Sequence, residues 1–269
     1  IVDLVKLHQE NALKVFPDKV DVVTGGFPCQ DFSVAGKRMG FESQKSHLGK
    51  KMLTDEPTSE NRGRLYMWMR EVVGIVKPKL FVAENVKGLA NLHDVKNIIE
   101  HDFSTICDGG YLVIPTRILN AANYGVPQGR ERIIFLGFRK NALTKEALLE
   151  LSKLEISKEY DPYPTPTHNF TANGDHLKKF VTVEDAMIGL VEPEQSSDPS
   201  QQKYSKAKYM GKHCQGQTEV SLKSVGPTIR SEHHGNIEYR RLSVEHGGKH
   251  KKELRNGLQE RRLTIRECA

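Results

Sequence analysis

The sequence lacks any apolar run of about 18 residues, the length that a membrane-spanning helix needs, and it opens without a secretory signal. Its 4 cysteines lie far apart and form no Cys-x-x-Cys pair. That spacing argues against a zinc site and against a disulfide framework. We therefore expect a protein of a reducing, cytoplasmic compartment that has no membrane partner and no metal.

Acidic residues are scarce in the last quarter of the chain. From Ser205 to the end there are 14 Lys and Arg against 7 Asp and Glu, a net charge of +7, whereas the whole chain carries +6. Basic and aromatic residues interleave there with Gly and Thr: His233, His234, Tyr239, Arg240 and Arg241. A basic region of this kind predicts a polyanionic partner.

The length of 269 residues suits one large domain with a smaller one. "KVDVVTGG" and "KLFVAEN" read as buried strands, and "RGRLYMWMREVVGIVKP" between them reads as an amphipathic helix that ends at Pro78. A strand, a helix and a strand in this order predict a parallel sheet. His93 to Cys107 reads as a second helix, and "YLVIPTRILN" and "ERIIFLGFR" read as further strands. After Lys140 the sequence becomes rich in turn residues and poor in long periodic elements.

Two reactive side chains follow the ends of the first two predicted strands. Cys29 comes just after one strand, and Glu84 lies at the end of the next. Because ligands bind at the carboxyl edge of a parallel sheet, both side chains are expected to face one pocket. A thiolate beside a carboxylic acid suits attack on an electron-poor ring, since the acid can protonate the ring as the sulfur adds.

Four stretches occur in a fixed order that closely resembles the C5-cytosine DNA methyltransferase family. "GGFPCQDFSVAG" matches its Pro-Cys-Gln motif, "AENVKGL" its Glu-Asn-Val motif, and "NYGVPQGRERIIFLGFR" its Gln-x-Arg-x-Arg motif. The terminal "RRLTIRECA" resembles the family's Arg-x-Leu-Thr-x-Arg-Glu-Cys motif, with Ile265 where Pro is common. "VDLVKL" resembles the short Asp motif that precedes Pro-Cys-Gln. The resemblance covers about 1–140 and 258–269.

The resemblance implies four catalytic residues. Cys29 would add to C6 of cytosine and make C5 nucleophilic. Glu84 would hold and protonate N3, Arg132 would bind O2 and steady Glu84, and Arg130 would support the covalent complex or a nearby phosphate. The target base would be swung out of the duplex into this site.

The resemblance also implies DNA contacts. Gln30 and Asn85 would order the catalytic loop and line the surroundings of the flipped nucleotide, and three residues of that loop would approach the DNA backbone: Ser33, Lys37 and Arg38. In the recognition region the candidates for phosphate and base-edge contacts are Thr228, Arg230, Arg240 and Arg241. Arg to guanine is the commonest specific contact, and the phosphate contacts would make affinity strongly salt-dependent.

The methyl donor implied by the resemblance is S-adenosyl-L-methionine, with contacts from Asp3, Pro28 and Leu65. The family's glycine-rich donor loop, its acidic residue one strand later and its late Asn-containing motif are absent from this sequence. The chain is therefore expected to be inactive alone, either as a piece of a longer reading frame or as one polypeptide of a split enzyme whose second polypeptide carries the missing motifs.

The implied architecture is an incomplete, Rossmann-like methyltransferase sheet of the α/β class with a smaller, irregular target-recognition domain. The expected domains are 1–140 for catalysis, 141–257 for target recognition and 258–269 for the return to the catalytic domain. The expected partner is double-stranded DNA, in a bacterial cytoplasm and within a restriction–modification system. Three alternatives stay open: a non-catalytic DNA-recognition subunit, the tRNA-directed branch of the family, and an unrelated thiol enzyme with a small substrate.

Overall fold

The computed structural model describes residues 1–10, 15–27, 66–91, 95–171, 176–230 and 237–269. The chain forms two compact units, the first from 1–119 and 131–164 and the second from 120–130 and 165–269. Within the described ranges no helix is long and apolar enough to cross a membrane. The three domains expected from the sequence concern function, and their boundaries stay a prediction.

The first unit is a mixed α/β structure. Its helices are Val2–Gln9 (α1), Tyr66–Val76 (α2), Val95–Ser104 (α3) and Lys145–Leu151 (α4). Its strands are Val22–Gly26 (β1), Leu80–Val86 (β2), Tyr111–Val113 (β3), Arg117–Asn120 (β4) and Glu131–Arg139 (β5). The predicted strands and helices are all present. β5 matches "ERIIFLGFR" residue for residue, β2 is shifted by one residue from "KLFVAEN", and "YLVIPTRILN" is divided between β3 and β4.

The sheet of the first unit has the order β1-β2-β5-β3, and β4 also pairs with β5. β1 and β2 are parallel, as the strand–helix–strand pattern predicts. The expectation of a parallel sheet is wrong for the remainder, because β5 pairs antiparallel with both β2 and β3. The long β5 lies between two strands that precede it in sequence, and the local pattern of a strand carries no information about the direction of its neighbours.

The core of the first unit contains many aromatic residues. The ring centroid of Phe27, just after β1, lies 6.0 Å from that of Tyr66 and 6.4 Å from that of Phe135. Phe81 of β2 lies 4.8 Å from Phe103 of α3. Because these rings join β1, β2, α2, α3 and β5 in one cluster, they fix the strand ends that carry the predicted catalytic residues.

The second unit is built from short elements. They are the strands His168–Asn169 (β6), Lys178–Lys179 (β7), Tyr239–Arg241 (β8) and Arg261–Arg262 (β9), and the helices Val183–Ala186 (α5), Pro199–Gln202 (α6), Lys251–Arg255 (α7) and Ile265–Cys268 (α8). Its apolar core is small and centres on Val183, Val220, Ile237 and Leu263. Charged side chains are buried beside this core, and their ion pairs supply much of what joins the short elements.

Candidate active site

The carboxyl ends of β1 and β2 lie side by side in the first unit. Gly26, the last residue of β1, is the register partner of Glu84 in β2. A Cβ atom placed on Gly26 would lie 3.2 Å from Oε2 of Glu84. The absence of a side chain at Gly26 therefore leaves room for the carboxylate at this edge of the sheet.

Glu84 is paired with Arg132 across the sheet. In the antiparallel ladder Arg132 lies opposite Val86, two residues from Glu84, so the two side chains are diagonal neighbours on one face. Nε of Arg132 lies 2.6 Å from Oε1 of Glu84. Nη1 of Arg132 donates to the carbonyl of Glu131 at 2.9 Å, which fixes the plane of the guanidinium. The structure thus brings together two of the four predicted catalytic residues.

Asn85 points to the opposite face of β2, where its side chain is buried at 1% exposure. Its Nδ2 donates to the carbonyl of Phe27 at 3.1 Å, and its Oδ1 accepts from the backbone N–H of Val86 at 2.8 Å. The amide of Asn85 thus holds the chain at Phe27, and the prediction that it orders the loop beyond stays a prediction. The accompanying prediction of a DNA contact stays a prediction.

Several predicted site residues lie outside the described residues: Cys29, Pro28, Leu65, Gln30, Ser33, Lys37 and Arg38, together with His233 and His234 of the basic region. Their predicted roles stay predictions. What the structure adds is the position of the chain just before Cys29, since Phe27 is buried and anchored by Asn85.

A largely apolar cleft of about 220 Å³ runs along β1. It is lined by Ile1, by residues 23–27 and by three residues of α2, namely Trp68, Met69 and Val72. Asp3 lies nearby in sequence, exposed in the first turn of α1, but it does not line the cleft. This cleft is a candidate site for a ligand with an apolar part next to the glycine-rich strand end.

Arg130 belongs to the second unit, and its backbone makes two local hydrogen bonds. Its backbone N–H donates to Gln128 at 2.9 Å, and its carbonyl accepts from Ala121 at 2.9 Å. The hydroxyl of Thr228 donates to the carbonyl of Gly129 at 3.0 Å. Thr228, predicted as a DNA contact, therefore holds the backbone of the Gln-x-Arg-x-Arg segment, a role that the sequence did not reveal.

The three predicted DNA-binding arginines of the second unit are all engaged with acids. Arg230 lies 2.6 Å from Glu238, whose pKa is raised because burial outweighs this neighbouring charge. Arg240 binds Glu253 at 2.9 Å. Arg241 is only 1% exposed and its guanidinium bridges Glu253 at 2.6 Å and Glu192 at 3.1 Å. Arg241 thus presents no open face to a partner in this structure.

The pair Arg240–Arg241 belongs to a larger ionic network. Arg261 joins it by binding Glu192 at 2.9 Å and Glu267 at 2.8 Å. Burial by itself would raise the pKa of Glu192, but the hydrogen bonds from Arg261 and Arg241 outweigh it and lower the pKa to about 2. The network therefore remains ionised through the physiological range and acts as the polar core of this unit.

Among the described residues no group of three or more His, Cys, Asp or Glu side chains could hold a metal ion. The first unit has an α/β fold. The pair Glu84–Arg132 and the apolar cleft lie near the ends of β1 and β2, and strand ends are the usual position of a ligand site in such sheets.

Residues 2–269 match the family described as C-5 cytosine-specific DNA methylase, and the chain belongs to that family. The resemblance predicted from the four motifs is confirmed. The chain is similar to the type II methyltransferase M.HpaII of Haemophilus parainfluenzae, with 38% identity over 63% of this chain and 44% of that protein. It is 34% identical to M.AquIA of Picosynechococcus over 66% of this chain and 64% of that protein. The chain thus spans less than two thirds of the length of these relatives.

Among solved structures, the Dnmt2 methyltransferase of S. pombe is 15% identical, with a TM-score of 0.45 over 98% of this chain and 69% of that chain. This likeness is too low to support an argument about function.

Proposed function

We propose that this chain forms part of a DNA (cytosine-5)-methyltransferase of a bacterial type II restriction–modification system. The enzyme would transfer a methyl group from S-adenosyl-L-methionine to C5 of a flipped cytosine in a specific duplex sequence. The observation that carries the proposal is the contact of Glu84 with Arg132, beside the strand that leads into Pro28 and Cys29. Membership of the methylase family supports the same chemistry.

In the proposed reaction the sulfur of Cys29 forms a bond to C6, and the electrons of the C5–C6 double bond move toward C5. Glu84 donates a proton to N3 at the same step, which prevents negative charge from building up on the ring. C5 would then take the methyl group as the carbon–sulfur bond of the donor sulfonium breaks, and the donor would leave as a neutral thioether. Loss of the C5 proton to a base lets the C6–sulfur bond break and restores the thiolate, and return of the N3 proton to Glu84 leaves a neutral 5-methylcytosine.

Arg132 would keep Glu84 in place during these steps. Its Nε binds Oε1, while Oε2 lies on the side of Gly26. One carboxylate oxygen is thus held by a charged donor and the other is placed at the edge of the sheet, where we propose that it meets N3. Arg132 would also contact O2 of the base, and Arg130 would support the covalent complex or a phosphate.

S-adenosyl-L-methionine would supply an electrophilic methyl group. The described residues fit part of it, because the cleft along β1 offers the apolar wall that an adenine ring and a methionine chain require. We propose that Asp3, Pro28 and Leu65 contribute contacts, and that the remaining donor contacts come from residues outside this chain, on the same gene or on a second polypeptide.

Duplex DNA would contact the loop residues Gln30, Ser33, Lys37 and Arg38, and the recognition domain that we place at 141–257. For Arg241 we propose a structural role in place of the DNA contact predicted from sequence. Its guanidinium is buried and bound by Glu192 and Glu253, and withdrawing a buried charge from its partners costs several kcal/mol. Arg230 and Arg240 stay candidates for DNA contacts.

The test is bisulfite sequencing of plasmid DNA from cells that produce this chain in its complete reading frame. Cys29→Ser is the test variant, and Cys214→Ser, at a half-buried free cysteine of the second unit, is the matched control. We expect protected cytosines in one recurring sequence context for the wild type and the control, and none for Cys29→Ser.

Protection that persists in Cys29→Ser would sink the assignment of the nucleophile. Sequence-specific DNA binding without protection, from folded protein supplied with the donor, would favour a recognition subunit over an enzyme. Methylation of tRNA together with a lack of protection in plasmid DNA would show that the substrate is RNA.

A further inference from the structure

The positive charge of the second unit is distributed differently from what the sequence indicates. Its adjacent arginines, Arg240 and Arg241, are bound to the carboxylates of Glu253 and Glu192. Three lysines of the stretch 206–212, in contrast, are exposed and have no ion-pair partner among the described residues: Lys206, Lys208 and Lys212. These lysines are therefore among the charges of the unit that a polyanion can reach without breaking an ion pair.

The stretch that carries the first two of these lysines is held rigidly against the unit. Nε of Arg262 donates to the carbonyl of Ala207 at 3.1 Å, and the guanidinium of Arg262 lies over the ring of Tyr239 at 4.1 Å. Exposure alternates along the stretch, with Lys206 and Lys208 exposed and Ala207 between them half-buried. The two lysines therefore project to the same side of an extended backbone.

A polar aromatic pair joins this stretch to the loop after β8. The rings of Tyr209 and His246 stack with centroids 4.2 Å apart and 20° between their planes. Nδ1 of His246 lies 2.6 Å from Glu260, which leaves Nε2 as the ring atom open to a ligand. Lys212 lies close to the same loop, since its Nζ is 3.9 Å from the position of a Cβ on Gly247.

We propose that Lys206, Lys208, Lys212 and His246 form a basic strip that binds the backbone phosphates of duplex DNA. The inference rests on the proposed function for its choice of polyanion. Exposed lysines can meet phosphates and release counterions without giving up an internal ion pair. Use of Arg241 would first require its removal from two carboxylates, which is the more costly route. The acidic groups that limit the strip here are Glu245, exposed beside His246, and Glu260, which is bound to the His246 ring.

The test measures the affinity of the 269-residue chain for a fluorescent DNA duplex at several salt concentrations. The test variant carries Lys206→Gln, Lys208→Gln and Lys212→Gln together. The matched control carries three Gln substitutions at exposed lysines of the first unit that lie outside the proposed recognition domain, namely Lys19, Lys77 and Lys140. Thermal unfolding followed by circular dichroism confirms that both variants are folded.

We expect the strip variant to bind at least roughly tenfold more weakly than wild type near 0.1 M salt, with a salt slope smaller by about 2 to 3. The control should keep the wild-type slope. His246→Ala, added to the wild type, should weaken binding by a few-fold, because it removes a single contact and no lysine.

Equal affinity and slope for wild type and strip variant would overturn the basic strip and leave the proposed function standing. A folded wild type that binds no duplex DNA would overturn the proposed function, and the strip with it. Stronger binding to unlabelled tRNA than to duplex DNA in competition would assign the strip to RNA and overturn the proposal made here.

Discussion

Arg132 and Glu84 form a pair in which Nε lies 2.6 Å from Oε1, on neighbouring antiparallel strands. The side chain of Arg132 is the more enclosed of the two, at 20% exposure against 38% for Glu84. A charged donor held by a strand rather than a loop gives the carboxylate a fixed orientation before any substrate arrives, and preorganised polar groups of this kind contribute strongly to catalysis.

Replacement of Arg132 by Lys should slow methylation by about 100-fold. Lysine keeps the charge, but its ammonium lacks the planar fork that binds both Glu84 and the Glu131 carbonyl. Single-turnover methylation by the complete enzyme on a plasmid substrate checks this prediction. Lys87→Ala, which breaks the neighbouring exposed pair with Glu131, serves as the control and should change the rate less than twofold. Comparable losses in both variants would contradict a specific role for Arg132.

Replacement of Gly26 by Ala should lower the methylation rate by roughly tenfold while leaving DNA affinity unchanged. The new methyl group would lie 3.2 Å from Oε2 of Glu84 and would displace the carboxylate by a few tenths of an ångström, and small displacements of reacting groups are costly to rate. Gly74→Ala, in α2 and outside the cleft, is the matched control, because its methyl group would meet Ile106 at an ordinary contact distance of 3.5 Å. A larger loss in the control than in Gly26→Ala would refute the role given to Gly26.

Replacement of Asn85 by Ala should destabilise the first unit by about 1–3 kcal/mol, since it leaves the buried carbonyl of Phe27 without its donor. Urea unfolding followed by fluorescence measures the change. The methylation rate should fall as well, because the chain before Cys29 loses its anchor. An Asn85→Ala protein with wild-type stability and activity would show that the hydrogen bond to Phe27 has no structural weight.

Acid should weaken the second unit through Glu192. Its pKa falls from an ordinary value of 4.5 to about 2 in the folded chain, so its ion pairs stabilise the fold fully above pH 4.5. This contribution, of the order of 3 kcal/mol, is lost as the pH falls from 4.5 toward 2.

Urea unfolding of wild type and Glu192→Gln at pH 7 and pH 3 tests this dependence. The variant should be less stable than wild type at pH 7, and the difference between the two proteins should shrink at pH 3. Glu184→Gln, at an exposed carboxylate of α5, is the control and should follow wild type at both pH values. A constant difference between wild type and Glu192→Gln would exclude titration of this carboxyl as the cause.

The ends of β1 and β2 were predictable because they depend on short patterns of neighbouring residues. The β-branched run before Gly25 and Gly26 and the apolar run before Glu84 define two buried strands, and ordered motifs then assign chemistry to the residues that follow. The direction of β5 was not predictable from its own pattern, because alternation along a strand is the same in parallel and antiparallel pairs.

The role of Arg241 could not be predicted from neighbouring residues, because it depends on an ion-pair partner that is distant in the sequence. Two adjacent arginines in a basic region look the same whether they face DNA or carboxylates. The deciding partner of Arg241, Glu192, lies 49 residues earlier in the chain, in a stretch with no recognisable motif. Lys206 and Lys208 belong to no recognisable motif either. They are candidates for phosphate contacts only because the structure shows them exposed on a backbone that Arg262 holds in place.

Each unit of this protein is assembled from two separate stretches of chain, and one of the three changes from one unit to the other falls between Arg130 and Glu131. The Gln-x-Arg-x-Arg segment is therefore shared, with Gly129 bound by Thr228, 99 residues further along. A chimera designed to exchange target specificity would need to transplant residues 120–130 together with 165–269. A graft of the downstream stretch alone would leave the imported Thr228 facing a foreign backbone.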